Sequence, residues 1–346
     1  MTSISSYALT TAPRLAVAQA QAALSTAQVE LSSGKLADIG LGLGSATGGY
    51  ISLNTQQSRL QAITDSNNTT STTLTTANST LDALRTTATS FLASLTQSSG
   101  AGAVAGTLVT TAGANLNALT ASLNTTVDGN SIFGGINSGV APMTTYAGST
   151  AETQVNQSFT TAFSGTTQSS ASASTISGAA MQTYLDGAFA NLFSSTNYQG
   201  TWSAASSTVQ TAQISTTETV PTSVSANSDA FRQLAQAYTM VKEFGGANFN
   251  SDAGQAVVAS ASKLVTSAIA GLTSAQAGIG LSQTAVSNAN DRMSSQIDYL
   301  MTQSTNMVSV DPSLLSTKIS GLQTQIQASY EITSQLQQLS LVNYLK

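Results

Sequence analysis

Nucleophilic and acid–base chemistry most often rests on cysteine and histidine, and this 346-residue sequence contains neither. Disulfides, thiolate nucleophiles and zinc–thiolate sites are excluded with the cysteines. Catalysis would have to come from Ser, Thr, Tyr, Lys and 15 carboxylates. Asp291-Arg292 are adjacent opposite charges, the pattern of a solvated surface pair. Asp186 and Glu218 have no visible partner in the sequence. Gly40-x-Gly42-x-Gly44 faintly resembles a phosphate loop, but no strand precedes it and no Gly-Lys-Ser/Thr follows. A flexible connector over 34–49 is the expectation there. Trp202, Tyr184 and Tyr198 could form a sugar-binding platform, yet aromatics dominate small cores and burial is the simpler reading. The sequence therefore predicts no enzyme, no cofactor and no metal site.

Composition narrows the partners. Charged residues make up 7% of the chain, against about 25% in an ordinary soluble domain. Ser, Thr, Asn, Gln and Ala take the polar positions instead. Neutral helix faces cost little to desolvate, which suits helices that bury several sides in an assembly; a Ser/Thr-rich secreted surface is the alternative. The net charge of −5 and ten scattered Lys and Arg give no basic face for nucleic acid. No run of 18 or more apolar residues is present, so no membrane insertion is expected. Residues 1–7 have neither a basic segment nor a continuous apolar stretch, so a cleaved Sec signal is not expected.

The elements that must carry the function are helices with a seven-residue repeat. Val258, Val265, Leu272, Ile279, Val286, Met293, Leu300 and Met307 stand seven apart, with the small residues Ala261, Ala268, Ala275, Ser282 and Ala289 three positions on. A strict heptad keeps one seam toward a partner helix and imposes a left-handed supercoil. Fifty residues at about 1.5 Å each make a helix of roughly 75 Å. A first helix over 12–33 carries Val17, Leu24 and Leu31, with Ala20 and Ala27 between them. A second, over 50–97, has the seam Leu53, Leu60, Asn67, Leu74, Leu81, Ala88 and Leu95. Its one polar member, Asn67, either fixes register or lies where the seam is partly exposed. A third helix over 104–127 follows a Gly-rich break, and a helix from Ser228-Asp229 ends at Gly245-Gly246. Asp311-Pro312 opens the last helix, which carries Leu315, Ile319, Leu322, Ile326, Leu336, Leu339, Val342 and Leu345. Its apolar end calls for a partner.

Between these sets, residues 128–227 change character. Asp128-Gly129-Asn130 signals a turn, and Val155/Gln157/Phe159, Val209/Thr211/Gln213 and Thr217/Thr219/Pro221 alternate as strands do. A helix fits 176–193. The predicted fold is mainly α: a long antiparallel coiled-coil core built from both termini (1–127 and 228–346), with a small α+β outer domain inserted at 128–227.

Several stretches resemble the bacterial flagellin family, and within it the hook–filament junction branch of rhizobia and related bacteria. Leu31-Ser32-Ser33-Gly34-Lys35 is similar to the family's turn after its first helix, and Asp38-Ile39-Gly40-Leu41-Gly42-Leu43-Gly44 to the rhizobial branch. Asp128-Gly129-Asn130-Ser131-Ile132-Phe133-Gly134-Gly135 resembles the segment leading into the outer domain, although a second aromatic usual there is absent. Trp202-Ser203-Ala204-Ala205-Ser206 and Thr216-Thr217-Glu218-Thr219-Val220 resemble the outer domain itself. Gln338-Leu339-Ser340-Leu341-Val342-Asn343-Tyr344-Leu345-Lys346 is the most specific likeness, since filament flagellins more often end in a Leu-rich run.

The resemblance implies a structural protein of the bacterial flagellum, exported through the flagellar type III channel without a cleaved signal peptide. Its terminal helices would order on assembly into a ring between hook and filament. Its partners would be another flagellar hook-associated protein, flagellin subunits and further copies of itself. The assembly interface expected on the terminal helices comprises Val17, Leu24, Leu31, Leu322, Ile326, Leu336, Leu339, Val342 and Leu345. A self-polymerising filament flagellin is the alternative with the same fold.

Overall fold

The computed structural model describes residues 6–98 and 106–344, with the backbone alone for 6–10 and 336–344. In chain order the helices are α1 (Ser6–Ser33), α2 (Ile39–Leu43), α3 (Thr47–Ser98), α4 (Gly106–Leu123), α5 (Thr150–Ala162), α6 (Gly178–Tyr184), α7 (Ala190–Leu192), α8 (Ser195–Tyr198), α9 (Asp229–Phe244), α10 (Ser251–Val308) and α11 (Pro312–Tyr344). Two small hairpins complete it: β1 (Thr126–Val127) with β2 (Asn130–Ser131), and β3 (Thr211–Gln213) with β4 (Thr219–Pro221). The fold is mainly α, as the heptads require. The break expected at 100–106 lies outside the described residues except for Gly106.

Local chemistry explains several boundaries. Asp311 caps α11, its Oδ1 accepting from the Ser313 amide at 2.8 Å, and Pro312 fills the first helical position. The β1–β2 turn places Asp128 and Gly129 at φ 50° and 78°, the left-handed pair that a tight I′ hairpin needs. The Thr-rich stretch of α3 stays helical because Thr72, Thr73, Thr75 and Thr76 turn their hydroxyls onto carbonyls four residues back.

Three expectations are corrected. The Gly-rich 34–49 segment is not an open connector: Asp38 caps α2 through the Leu41 amide at 2.8 Å, and α3 begins at Thr47. Residues 155–159 lie in α5, not in a strand. Ser149 accepts from the Glu152 amide while the Glu152 carboxylate accepts from the Gly148 amide at 2.7 Å, a reciprocal cap that starts the helix. Ser228 occupies the N-cap of α9 in extended backbone, but its side chain makes no capping bond; Asp229 pairs with Arg232 instead.

The chain forms two compact units. One comprises residues 1–61 and 293–346, the other residues 62–292. The terminal unit holds α1 against α11 and the start of α3 against the end of α10. Gly34 O accepts from the Val310 amide at 3.2 Å and Gln21 Nε2 donates to the Tyr330 hydroxyl at 2.8 Å, so α1 and α11 run antiparallel. Met293, Leu300, Val308 and Leu315 are buried there, while Leu53 and Leu60 are half-buried.

In the central unit α3 and α10 also run antiparallel: Asn67 faces Asn290, and Gln283 reaches Thr75. The seam residues Val258, Val265, Leu272, Ile279 and Val286 are all buried, as are Leu74, Leu81, Ala88 and Leu95 opposite. By length and composition α10 would pass as a membrane-crossing helix, and its heptad seam is buried against protein. Helices α4 and α9 pack on one another, and α9 approaches α10 closely where a side chain at Gly271 would meet Ala230 Cβ at 2.9 Å. A network of rings fills the rest. Phe159 stacks on Phe244 with centroids 5.2 Å apart, Trp202 stacks on Tyr146 at 5.1 Å, and Phe133 meets Phe231 edge-on at 5.7 Å.

Candidate assembly surface

The residues with chemical potential are accounted for within the central unit. Trp202, Tyr184 and Tyr198 are buried core members, not a platform. Burial pushes the Tyr184 hydroxyl up to about 12 and raises Tyr198 and Tyr238 for the same reason. Asp186 accepts from Gln182 Nε2 at 2.8 Å. Glu218 has a partner after all: Arg292 donates to it at 2.8 Å, drawing Arg292 into a contact that the Asp291-Arg292 adjacency did not suggest. Both groups of that pair are about half exposed, so it contributes about 0–1 kcal/mol.

Asn67 is neither exposed nor idle. It is fully buried, and its Nδ2 donates to Asn290 Oδ1 at 2.8 Å and to the Ile214 carbonyl at 2.9 Å. One amide thus joins α3, α10 and the end of the β3–β4 hairpin.

What remains unpaired is apolar surface, and it is unevenly spread. Of the fourteen large hydrophobic residues exposed among the described ones, ten belong to the terminal unit: Leu15, Val29, Leu31, Leu41, Ile51, Tyr299, Met301, Leu314, Tyr330 and Ile332. A small domain buries such residues when it can. Along α1 the pattern is a second heptad. Val17, Ala20 and Ala27 form the buried seam, whereas Leu15, Ala18, Ala22 and Val29 are exposed. The two rows are offset by two residues, about 200° around the helix. The terminal unit thus uses one seam internally and presents another.

The nine residues expected at an assembly interface divide accordingly. Val17 is buried within the chain; Leu24, Leu322 and Ile326 are half-buried; Leu31 is 38% exposed. Leu336, Leu339 and Val342 have their backbone in α11, but their side chains lie outside the described residues, as does all of Leu345. The exposed row Leu15–Ala22–Val29 was missed, although its seven-residue spacing was present in the sequence.

Comparison with known proteins fits this arrangement. The bacterial flagellin N-terminal helical region matches residues 4–138, and the bacterial flagellin C-terminal helical region matches residues 262–345. The chain belongs to the bacterial flagellin family. Flagellin-family chains are structural, non-enzymatic proteins of the extracellular flagellum that assemble with other flagellar subunits. A solved structure named as a flagellar hook-associated protein of Vibrio parahaemolyticus has a similar fold, with a TM-score of 0.50 and 12% identity, over 76% of this chain and 97% of that one. No curated protein sequence matches significantly.

Proposed function

We propose that the chain is a hook–filament junction protein, forming a short ring that binds a hook-associated protein on one side and flagellin on the other. The single observation that carries the assembly part of this reading is the concentration of exposed apolar residues on the heptad helices of the terminal unit. Burying them on neighbouring subunits supplies the driving force, and the scarcity of charge on the same helices removes the desolvation cost. The interface comprises the second α1 row together with Leu24, Leu31, Leu322, Ile326, Leu336, Leu339, Val342 and Leu345, while Val17 supports it from within. Residues 128–227 form an outer part that does not take part in closing the ring. The junction position is supported by the resemblance of the last nine residues to the junction branch and by the hook-associated name of the Vibrio protein of similar fold.

Electron microscopy of the purified protein, alone and added to hook-ended basal fragments, tests the proposal. One short added layer, with no filament growth by the protein alone, is the expected result. Long filaments grown by the protein alone would make it a filament flagellin.

A further inference from the structure

Asp-Gly occurs twice in the chain, at Asp128-Gly129 and at Asp186-Gly187. In each, the Asp carboxyl carbon lies within reach of the next backbone nitrogen, and glycine has no side chain to shield that nitrogen. Folding treats the two differently. Asp128 and Gly129 are the exposed central residues of the β1–β2 turn, at φ 50° and 78°. The hydrogen bond that closes such a turn runs between its outer residues, so it does not engage the Gly129 amide. A side chain at Gly129 would meet nothing within 4 Å, so the turn tip is open. The left-handed conformation of Asp128 costs an L residue free energy, and a rotation that leaves it recovers part of that cost. Asn130 Nδ2 donates to the Asp128 carbonyl at 3.4 Å, a long contact that draws electron density from the peptide joining Asp128 to Gly129.

Asp186 and Gly187 are exposed too, but they lie in a π turn (Leu185–Phe189) of the continuous helix joining α6 to α7. Amides in such a turn donate back to carbonyls five residues earlier. Gln182 Nε2 donates to the Asp186 carboxylate at 2.8 Å, and Gln182 is itself held by Ser260 Oγ, which donates to its Oε1 at 3.2 Å. Bringing the Asp186 carboxyl onto the Gly187 nitrogen would unwind the turn and break the Gln182 contact.

We propose that Asp128 is a site of spontaneous covalent modification, isomerising to isoaspartate through a succinimide, and that the helix protects Asp186 in the same dipeptide. The Gly129 nitrogen attacks Cγ of the protonated Asp128 carboxyl. The N–Cγ bond forms, the Cγ–OH bond breaks, and the hydroxyl leaves as water with the amide proton. Water then adds to either carbonyl of the ring. Opening at Cγ restores aspartate; opening at the backbone carbonyl carbon leaves the chain running through Cγ, with a free α-carboxylate. No oxidant, reductant or co-reactant other than water is consumed. The product has one more backbone carbon in a two-residue turn whose register pairs Thr126 with Ser131 and Val127 with Asn130. The Ile132 amide, which donates to the Thr125 carbonyl at 3.3 Å, is the next bond along that ladder. Isomerisation therefore loosens the hairpin that leads into the buried residues Ile132 and Phe133.

The test incubates the full-length protein, folded, at neutral pH in water enriched in oxygen-18, with peptic peptides read by fragmentation mass spectrometry. Each ring opening writes one heavy oxygen into the residue, and an isoaspartate-specific carboxyl methyltransferase with S-adenosylmethionine reports the isomer. Label should enter Asp128 roughly tenfold or more faster than Asp186, about the factor set by one broken backbone hydrogen bond and one cleared carboxylate contact. In urea the two should label at similar rates. Equal labelling of both in the folded protein would overturn the proposal, as would no label at Asp128 while the urea-unfolded chain takes it up. In D128E the attack would close a larger ring, and label and methylation at residue 128 should vanish; their persistence would also overturn it. In the methylatable fraction the Ile132 amide should exchange several-fold faster, and unchanged exchange would refute the loosening of the hairpin.

Discussion

Replacing Leu15 and Val29 together by aspartate should abolish assembly and leave the monomer folded. The two side chains are 59% and 52% exposed in the chain. Full burial of such a residue is worth about 1.5–3 kcal/mol, and somewhat over half of each remains to be covered, so each contributes about 1–1.5 kcal/mol when a neighbour closes over it. Losing both removes about 2–3 kcal/mol per contact, roughly a hundredfold in association constant, before any cost of desolvating the new carboxylates. Within the monomer neither residue is part of the α1 seam, and exposed substitutions cost within about 1 kcal/mol. Val17→Asp is the contrast: at 9% exposure it belongs to the internal seam and should destabilise the terminal unit itself. The assay pairs thermal unfolding by circular dichroism with sedimentation onto hook-ended basal fragments. Normal incorporation of the Leu15→Asp/Val29→Asp variant would refute the assignment of the second α1 row to assembly. Loss of helicity in that variant would show that the row has an internal partner.

Other expectations follow from the same residues. Leu336→Asp or Leu339→Asp should block incorporation while the aromatic near-ultraviolet signal of the central unit, dominated by Trp202 and its stacked tyrosines, stays unchanged. Asn67→Ala should cost about 2–4 kcal/mol, because it opens a small cavity and strands the Asn290 and Ile214 oxygens it serves; faster amide exchange at Ile214 in the variant would report the freed hairpin. Tyr184 gives an alkaline limit. Its folded value is raised to about 12 from an ordinary 10, so the folded form holds its proton where the unfolded chain releases it. Its contribution is complete below about pH 10 and is lost as pH rises toward 12, of order 3 kcal/mol in all. The tyrosinate absorbance of the buried tyrosines should therefore appear together with loss of tertiary signal, and ionisation of all nine tyrosines well before unfolding would contradict the burial.

The parts of the fold legible in the sequence are those with a long repeat. Eight apolar residues at a period of seven leave no other structure for Val258–Met307, and α10 includes them all. Short elements were harder for a physical reason. Val155 and Phe159 are two alternations apart in a strand but also four residues apart in a helix, and Ala151 extends the helical spacing. The deciding signal was the Ser149–Glu152 cap, not the apolar pattern. Likewise Asp38, three residues before the amide it caps, turned a glycine-rich stretch into helix. Contacts distant in sequence gave no local sign. Asn67 meets Ile214 and Asn290 across 147 and 223 residues, and Glu218 meets Arg292 across 74.

The proposed assembly surface shows what periodicity can and cannot say. A heptad row announces that a helix face seeks a partner, without naming where the partner is. On α1 two rows coexist, and the stronger one, with Val17, Leu24 and Leu31, drew the assignment to assembly. Packing divides that row: Val17 joins Ala20 and Ala27 in the internal seam, Leu24 is half-buried and Leu31 stays exposed. The weaker row, with small residues at Ala18 and Ala22, is left for association. A surface of that kind suits an exported subunit. It is too poorly apolar to aggregate readily as a monomer, yet when many copies repeat it around a ring the small contributions add across every contact.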